Sequence, residues 1–287
     1  MRPFIPLALL FVIALVTTTS AQQGERGEED EWPCSPPRSV IIVKWAEDAS
    51  KAIQAAIDQA AATPGPDKVI IPHVGNPWIA SETLNLCGEL TLEFEPGVVL
   101  WAKQGKFDDK NHCLIKDEGV ECVTLRGYVG TLRMRKHDYM MDTETYEPSE
   151  WRHCVKFNFG SEYVRILGLT MECAGGDGIY VGWDTRGAAR PCRHVWIRDV
   201  TCRDNLRQGI SITYADGVTI ENCLLTRTAG NNPGGGWTLS PTAGITRSRP
   251  WRFASAGSST MRAVACLSTW SACRWRIREA GLITSSP

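Results

Sequence analysis

Apolar residues recur along this chain with two different periods. In the segment 48–64, five of them fall at helical spacing: Ala49, Ile53, Ala56, Ile57 and Ala60. Asp48 or Ser50 is placed to act as the N-cap, and Pro64 marks the end of the pattern. From Lys68 onward, apolar and polar residues alternate in short β-branched segments bounded by glycine, proline, asparagine or aspartate. The pattern predicts one amphipathic helix followed by many short strands.

The strands repeat in a register that is typical of a solenoid. His-Cys pairs at His112 and His153 stand the same distance before V-x-[IL] strands, and two later strands repeat the same motif. No helical pattern of ten or more residues separates the strands, which argues against a βαβ sheet. An antiparallel sandwich or barrel also uses many short strands, but it does not explain the registered repeat. We therefore predict a parallel β-helix in which four valines stack inward: Val123, Val164, Val195 and Val218.

The same repeat makes two further predictions. Cys113 and Cys154 hold equivalent positions, so they are expected to stack near each other. The segments 133–151 and 183–192 break the spacing and are predicted insertion loops.

Four segments differ in composition. Residues 1–21 combine Arg2, an apolar run from 4 to 16 and small residues ending at Ala21, which predicts a secretory signal. The run is shorter than the roughly 20 residues that span a bilayer, so a membrane anchor is the weaker alternative. Residues 22–44 are acidic and aperiodic and predict a flexible lead-in. The β-helix domain is expected over 45–236, and an irregular tail over 237–287.

Charge and cysteine content narrow the function. With 31 basic and 32 acidic residues the net charge is −1, so no global field attracts nucleic acid or an anionic membrane. We expect a secreted, extracellular or periplasmic monomer without membrane contact after signal cleavage. An exported chain with 11 cysteines predicts disulfides, although the odd number leaves at least one thiol unpaired. Zinc-finger spacing of cysteines is absent from the sequence, which argues against structural zinc.

Five segments carry a resemblance to a known family: "AIQAAID", "VIIP", "GGDGIYVG", "VWIRDVTCRDNLRQGISI" and "VTIENC". Their order resembles the right-handed parallel β-helix proteins of the pectin-lyase-like superfamily. The resemblance implies a helix that caps the first coil and hides its strand edge. Because this fold carries lyases, hydrolases, epimerases and non-catalytic proteins, the resemblance does not specify the reaction.

The resemblance also implies where the site lies. Polysaccharide enzymes of this fold bind the sugar chain along one sheet, so that successive coils present residues to one substrate. "GGDGI" is similar to the polygalacturonase motif, but this chain has "RQG" where that family has an aspartate pair, and it lacks Gly-His-Gly. Since strands stack about 4.8 Å apart, carboxylates one or two coils apart approach the separations of roughly 5 to 9.5 Å that glycoside hydrolysis uses.

Three residues are the catalytic candidates: Asp177, Arg207 and Asp204. Asp177 is expected to stack near Arg207 and Gln208 of the next coil, with Asp204 just upstream. In pectate lyases of this superfamily an arginine takes the proton in β-elimination; Arg207 would be that base, and Asp177 and Asp204 would bind calcium. The alternative for Asp177 is a turn residue beside glycine.

The predicted substrate-binding residues are Glu150, Trp151, Arg152, His153, Gln208 and Trp183. Trp151 could stack on a sugar ring, Arg152 could bind a carboxylate, and Glu150 or His153 could transfer protons. His153 has an alternative as a turn residue, because His112 occupies the equivalent place one repeat earlier. Trp183 has an alternative as a cover for the core.

The tail after Gly236 changes composition abruptly and predicts a frameshift. Tryptophan has one codon, so the last base of Trp237 with the first two of Thr238 spells aspartate in the neighbouring frame. That frame permits Val-Asp-Phe-Glu-Pro across 237–241. A genuine disordered tail is the alternative.

Three functions remain open from the sequence. The leading one is a secreted, carbohydrate-active polysaccharide hydrolase or lyase. The second is a non-catalytic β-helix that binds glycans or a partner surface, and the third is an inactive, incomplete chain.

Overall fold

Short parallel strands wind around a common core in successive coils. The computed structural model describes residues 32–182, 190–232, 234–239 and 252–254, and the described residues from Cys34 onward belong to one compact unit. Each coil of the segment 67–239 contributes one strand to each of three sheets, here named A, B and C, and every strand pair described is parallel. The predicted right-handed parallel β-helix is confirmed.

The strands of the three sheets are as follows. Sheet A contains β1 (Ser39–Ile42), β2 (Asp67–Ile71), β5 (Leu90–Phe94), β8 (Glu121–Arg126), β11 (Glu162–Leu167), β14 (Cys192–Arg198), β17 (Ala215–Glu221) and β20 (Arg252–Ala254). Sheet B contains β3 (Trp78–Ala80), β6 (Val99–Ala102), β9 (Thr131–Arg133), β12 (Thr170–Glu172), β15 (Thr201–Arg203) and β18 (Leu224–Thr226). Sheet C contains β4 (Leu84–Asn85), β7 (Ile115–Lys116), β10 (Val155–Phe157), β13 (Ile179–Val181), β16 (Gln208–Ile212) and β19 (Gly235–Leu239).

Helix α1 (Ala49–Ala61) forms as the apolar spacing predicts. The side chain of Asp48 is the N-cap and accepts a hydrogen bond from the Ser50 amide at 3.1 Å. The buried face of the helix packs against β2, β3 and β4, and its largest buried side chains are Ile53 and Ile57. The helix therefore covers the first coil. A second helix, α2 (Lys136–Met141), lies inside the predicted insertion loop 133–151.

The four valines form the predicted inward stack. Val164 pairs in register with Val123 and Val195, and Val195 pairs with Val218. All four are at most 2 % exposed. The period-2 pattern and the repeat register were therefore sufficient to locate this part of the core.

The predicted equivalence of the two His-Cys pairs is wrong by one residue. Ile115 pairs with Val155, and the Leu114 amide donates to the His153 carbonyl, so Cys154 is level with Leu114 and not with Cys113. The cause is one additional residue between β10 and β11 compared with the coil before. Cys113 and Cys154 are both buried free thiols. His153 is buried whereas His112 is only partly buried.

Part of the predicted flexible lead-in is ordered. Residues 39–42 form β1, which pairs with β2 along its whole length. Cys34 forms a disulfide with Cys122 of β8, with their Cα atoms 5.5 Å apart. The disulfide and the strand together join the segment before α1 to the solenoid, which corrects the lead-in prediction for these residues.

Two parts of the predicted irregular tail are also strands. β19 continues sheet C next to β16, and β20 continues sheet A next to β17. The rest of the tail beyond residue 239 and the predicted signal at 1–21 lie outside the described residues. Within the described part of the chain, no helix is long and apolar enough to cross a bilayer.

Candidate functional site

The glycines around Asp177 allow two other segments to approach its turn closely. Asp177 lies between β12 and β13. A Cβ atom at Gly176 would lie 2.4 Å from the Glu150 carbonyl oxygen, and one at Gly178 would lie 2.7 Å from the carbonyl oxygen of Gly209. Both positions therefore need glycine, because the loop that carries Glu150 passes over one and the next coil packs on the other.

Asp177 and Arg207 lie together, as the stacking argument expects. Arg207 Nε and Nη2 each donate to one Asp177 carboxylate oxygen at 2.9 Å. Asp177 is fully buried, and burial raises its pKa to about 6 although the Arg207 charge acts in the opposite direction. Burial acts to lower the pKa of Arg207, but the charge and hydrogen bonds of Asp177, together with the charge of Glu150, outweigh it, so the Arg207 pKa is raised. The guanidinium thus holds its proton tightly.

Arg207 connects Asp177 to a second carboxylate. Its Nη1 lies 3.5 Å from Glu150 Oε1, and Glu150 Oε2 accepts a hydrogen bond from Asn231 Nδ2 at 3.0 Å. Because one planar guanidinium spans the two acids, their oxygens are no more than roughly 9 Å apart. The Glu150 side chain is 33 % exposed and the Arg207 side chain 15 %. Glu150 is thus the carboxylate of this pair that faces solvent.

His153 is buried next to Asp177 and does not face solvent. Its Nδ1 accepts a hydrogen bond from the Asp177 amide at 3.0 Å, and its ring stacks on Tyr180 with centroids 4.8 Å apart. Burial lowers its pKa well below the usual range, and the Arg207 charge adds to this effect. The ring is therefore neutral with its proton on Nε2. This arrangement does not support the prediction that His153 contacts the substrate directly.

Arg152 was predicted to bind a substrate carboxylate, but the structure places it in the interior. It is 0 % exposed and donates to three backbone carbonyl groups, those of Phe107, Asp108 and Glu147. It therefore anchors the insertion loop. The neighbouring Trp151 is 45 % exposed and keeps an accessible ring.

The remaining candidates are separated from Asp177 or buried. Asp204 forms a two-bond ion pair with Arg227 at 2.8 and 2.7 Å, near the end of β15. Gln208 is 1 % exposed at the start of β16, where its backbone bonds to Asp177. Trp183 lies outside the described residues.

Calcium does not fit the residues predicted for it. Asp177 and Asp204 are each engaged through both oxygens by an arginine. The described residues contain no cluster of three or more acidic, histidine or cysteine ligands. No step of the chemistry is therefore assigned to this ion.

Sequence reasoning missed an outward-facing row on sheet C. Lys116, Lys156 and Tyr180 pair in register across β7, β10 and β13. The Lys156 ammonium lies 5.8 Å from the Tyr180 ring centroid. The sequence contained a signal for this row, because each of the three residues is polar or aromatic and stands next to buried apolar residues in its strand. The row continues on β16 at Ser211, which pairs with Tyr180.

Known proteins resemble this chain in fold. No protein-family model and no curated protein sequence matches it. Among solved structures, a "putative glycosyl hydrolase" from Parabacteroides merdae matches with a TM-score of 0.54 and 18% identity, covering 75% of this chain and 96% of that one. The pre-mature gene product 12 of bacteriophage phi29 matches with a TM-score of 0.51 and 14% identity, covering 73% and 27%.

A hyperthermoactive exopolygalacturonase from Thermotoga maritima matches with a TM-score of 0.48 and 11% identity, covering 77% of this chain and 67% of that one. At these identities the likeness concerns the fold. Parallel strands in three sheets, a helix over the first coil and the two matches with TM-scores of 0.54 and 0.51 lead to one conclusion about the fold. The chain has the right-handed parallel β-helix fold.

Proposed function

We propose that the protein is a secreted carbohydrate-active enzyme that hydrolyses a polysaccharide in a groove along sheet C. The observation that carries the proposal is the pair of carboxylates, Asp177 and Glu150, at the two ends of the Arg207 guanidinium. A pair of acids within this separation is what glycoside hydrolysis requires. The row of Lys116, Lys156 and Tyr180 supplies a surface along which a sugar chain can lie.

Each acid has a role suited to its environment. Asp177, with its pKa raised to about 6 by burial, can hold a proton in weakly acidic conditions and donate it to a leaving oxygen. Glu150 is the exposed partner that activates water or attacks the sugar. Because Asp177 is covered, the reaction requires Arg207 to move away from it when substrate binds. This motion would transfer the guanidinium toward Glu150 or toward the substrate.

Hydrolysis is favoured over elimination by the state of Arg207. A base must release its proton, but Arg207 donates two hydrogen bonds to Asp177 and its pKa is raised. It is therefore a poor base for β-elimination. The disulfide between Cys34 and Cys122 agrees with a secreted location, extracellular or periplasmic, because such bonds persist in oxidising compartments.

The test is a screen of the purified protein against uronate-containing and neutral polysaccharides. Hydrolysis releases reducing ends, whereas elimination also gives an unsaturated product that absorbs ultraviolet light. Asp177→Asn and Glu150→Gln should each lower turnover at least about a hundredfold, the scale of a positioned acid or base. Asp199→Asn is the matched control, because it removes a carboxylate from a turn between sheets A and B. Full activity of Asp177→Asn would leave this aspartate with a turn role alone.

A non-catalytic glycan-binding protein is the second candidate, and one observation favours it. Asp177 is 0 % exposed with both oxygens bound to Arg207, which is also how a purely structural ion pair is built. In that case the wild-type protein would bind a polysaccharide without cleaving it. Lys156→Gln and Tyr180→Ala would then weaken binding, while Asp177→Asn would change only stability.

The reading frame of the coding DNA decides the third candidate, an incomplete and inactive chain. In the neighbouring frame an aspartate replaces Thr238, which pairs with Ser211 beside Asp177. That residue would add a carboxylate to the site. A stop codon soon after Gly236 in that frame would exclude the frameshift, so the DNA should be read before activity is assayed.

A further inference from the structure

A pocket lies on the outer face of sheet B, a different sheet from the proposed substrate surface on sheet C. It has a volume of about 530 Å³ and lies between the sheet and the loop that contains α2. Lys136 of this loop donates to the carbonyl oxygens of Asn205 and Ala229 and so holds the loop against the following turns. Arg135 donates to the Ala102 carbonyl at 2.7 Å and closes the other side. These hydrogen bonds hold the walls of the pocket in place.

Cations outnumber acids in the pocket lining. The cationic residues are Arg133, Arg135, Lys136, Arg203 and Arg227. The acidic residues are Asp138, Glu172 and Asp204. The lining therefore carries a formal charge of +2 in a chain whose net charge is −1. This local excess is what an anionic ligand requires.

Two arginines share a single carboxylate at the centre of the pocket. Arg133, Glu172 and Arg203 are level with one another on β9, β12 and β15. The Nε atoms of both arginines donate to Glu172, one to each oxygen. The Glu172 side chain is only 4 % exposed, whereas the Arg133 and Arg203 side chains are 37 % and 40 % exposed. Glu172 therefore orients both guanidinium groups and neutralises only one of them.

The polar groups of this row that have no hydrogen-bond partner among the described residues are all donors. Within the described residues, the Nη atoms of Arg133 and Arg203 have no hydrogen-bond acceptor. The Trp101 indole N–H, one position further along the row, is buried and also lacks an acceptor in the described part of the chain. The Trp101 ring is held by Arg133 and Arg135, whose Cζ atoms lie 5.3 and 4.8 Å from its centroid. A ligand that satisfies these groups must be rich in acceptors.

We propose that this pocket binds the oxyanion of an acidic saccharide, either a sulfate ester or a uronate carboxylate. Guanidinium Nη groups recognise both oxyanions by paired hydrogen bonds. The oxyanion site follows from the pocket alone, whereas its assignment to a saccharide rests on the proposed function. The site would hold an acidic glycan on the protein without taking part in bond cleavage.

Calorimetric titration of the intact protein at low ionic strength tests the proposal. The probes are sodium sulfate, an oligogalacturonate, a sulfated galactan oligosaccharide and a neutral galactan oligosaccharide. We expect both acidic oligosaccharides, or one of them, to bind and the neutral one not to compete. Binding of only one acidic oligosaccharide identifies the oxyanion, and binding of both shows that the pocket accepts either oxyanion. Binding should weaken as salt is added, because the contact is between charges.

Variants separate this pocket from general attraction. Arg133→Gln and Arg203→Gln should each weaken binding at least about tenfold, the scale of a charge-assisted hydrogen bond. Glu172→Gln should strengthen it, because it removes the competing carboxylate. Arg126→Gln is the matched control, an exposed arginine on sheet A whose loss should leave binding unchanged.

Several outcomes would overturn the proposal. Equal losses in Arg126→Gln and Arg203→Gln would show non-specific attraction, and the absence of binding by any anion would remove the site. Binding of sodium sulfate without either acidic oligosaccharide would refute the saccharide assignment. Asp177→Asn should lower cleavage at least about a hundredfold but retain this binding. The two proposals therefore fail in different experiments.

Discussion

The buried carboxyl of Asp177 should make the protein less stable as the pH rises from about 4 to about 6. The pKa of an accessible aspartate is 3.8, whereas the pKa of Asp177 in the folded protein is about 6, because burial outweighs the attraction of Arg207. The folded state therefore binds the proton more tightly than the unfolded state does. The stability from this group is fully present below the unfolded pKa and is lost as the pH rises through the folded pKa.

The size of the effect follows from the two pKa values. They differ by roughly 2, which corresponds to about 3 kcal/mol in the free energy of unfolding. Asparagine does not titrate, so Asp177→Asn should lack this component. Relative to the wild type, the variant should therefore gain about 2 kcal/mol of this total between pH 4 and pH 7, because the unfolded carboxyl is already partly ionised at pH 4. The gain should be complete once the pH has passed the folded pKa.

Urea unfolding at steps of pH from 4 to 7, followed by tryptophan fluorescence and far-ultraviolet circular dichroism, measures this difference. Asp117 is also buried, and burial raises its pKa to about 7. It titrates in both proteins, so its contribution cancels. Asp199→Asn is again the control for the loss of one acid.

Two results would refute the reasoning. A difference between variant and wild type that does not change with pH would mean that burial does not raise the Asp177 pKa. A wild type that gains stability over the variant as the pH rises would mean that the ion pair with Arg207 outweighs burial. In either case Asp177 would be ionised under weakly acidic conditions, and the proposed proton donor would be lost.

Three further predictions concern the scaffold. Val195→Asp should lower the free energy of unfolding by several kcal/mol, because it places a charge in the valine stack; a variant that melts like the wild type would contradict the register. Replacing Cys34 and Cys122 by alanine should cost about 4 kcal/mol in urea unfolding, since the bond closes a loop with a sequence separation of 88; no change would mean that the thiols are unpaired. Gly176→Ala should displace the Glu150 loop and lower turnover, because its Cβ would lie 2.4 Å from the Glu150 carbonyl oxygen. Circular dichroism should show little loss of helix or strand content. Unaltered turnover would mean that this contact does not contribute to the site.

The fold was predictable because its cause is local and repeated. Alternation of apolar and polar residues determines which side chain of a strand faces the core, and the repeat interval determines which strands are neighbours. The valine stack follows from these two patterns. Helix α1 was predictable for a similar reason, since its cap and apolar spacing both lie within 48–64.

The site was only partly predictable, because single insertions and long-range contacts decide it. Asp177 and Arg207 could be brought together from their places in successive coils. One additional residue in a turn, however, put His153 in the interior, while His112 stayed only partly buried. The burial of Arg152 depends on carbonyl groups up to 45 residues away in sequence, which no local pattern records. The strand at 39–42 was missed because its apolar residues, Val40, Ile41 and Ile42, are consecutive and do not alternate with polar ones.

The disulfide gives the unfolding of this solenoid a direction. Coils in such a fold are stabilised by their neighbours, so an array loses structure from its ends inward. Cys34 lies before β1 and Cys122 lies in β8, with β2 and β5 between these strands in sheet A. The bond therefore closes the first coils into one ring, and fraying of β1 cannot separate the segment from the array. Digestion of the oxidised protein should proceed from the opposite end, and the most persistent fragment should contain both cysteines and α1.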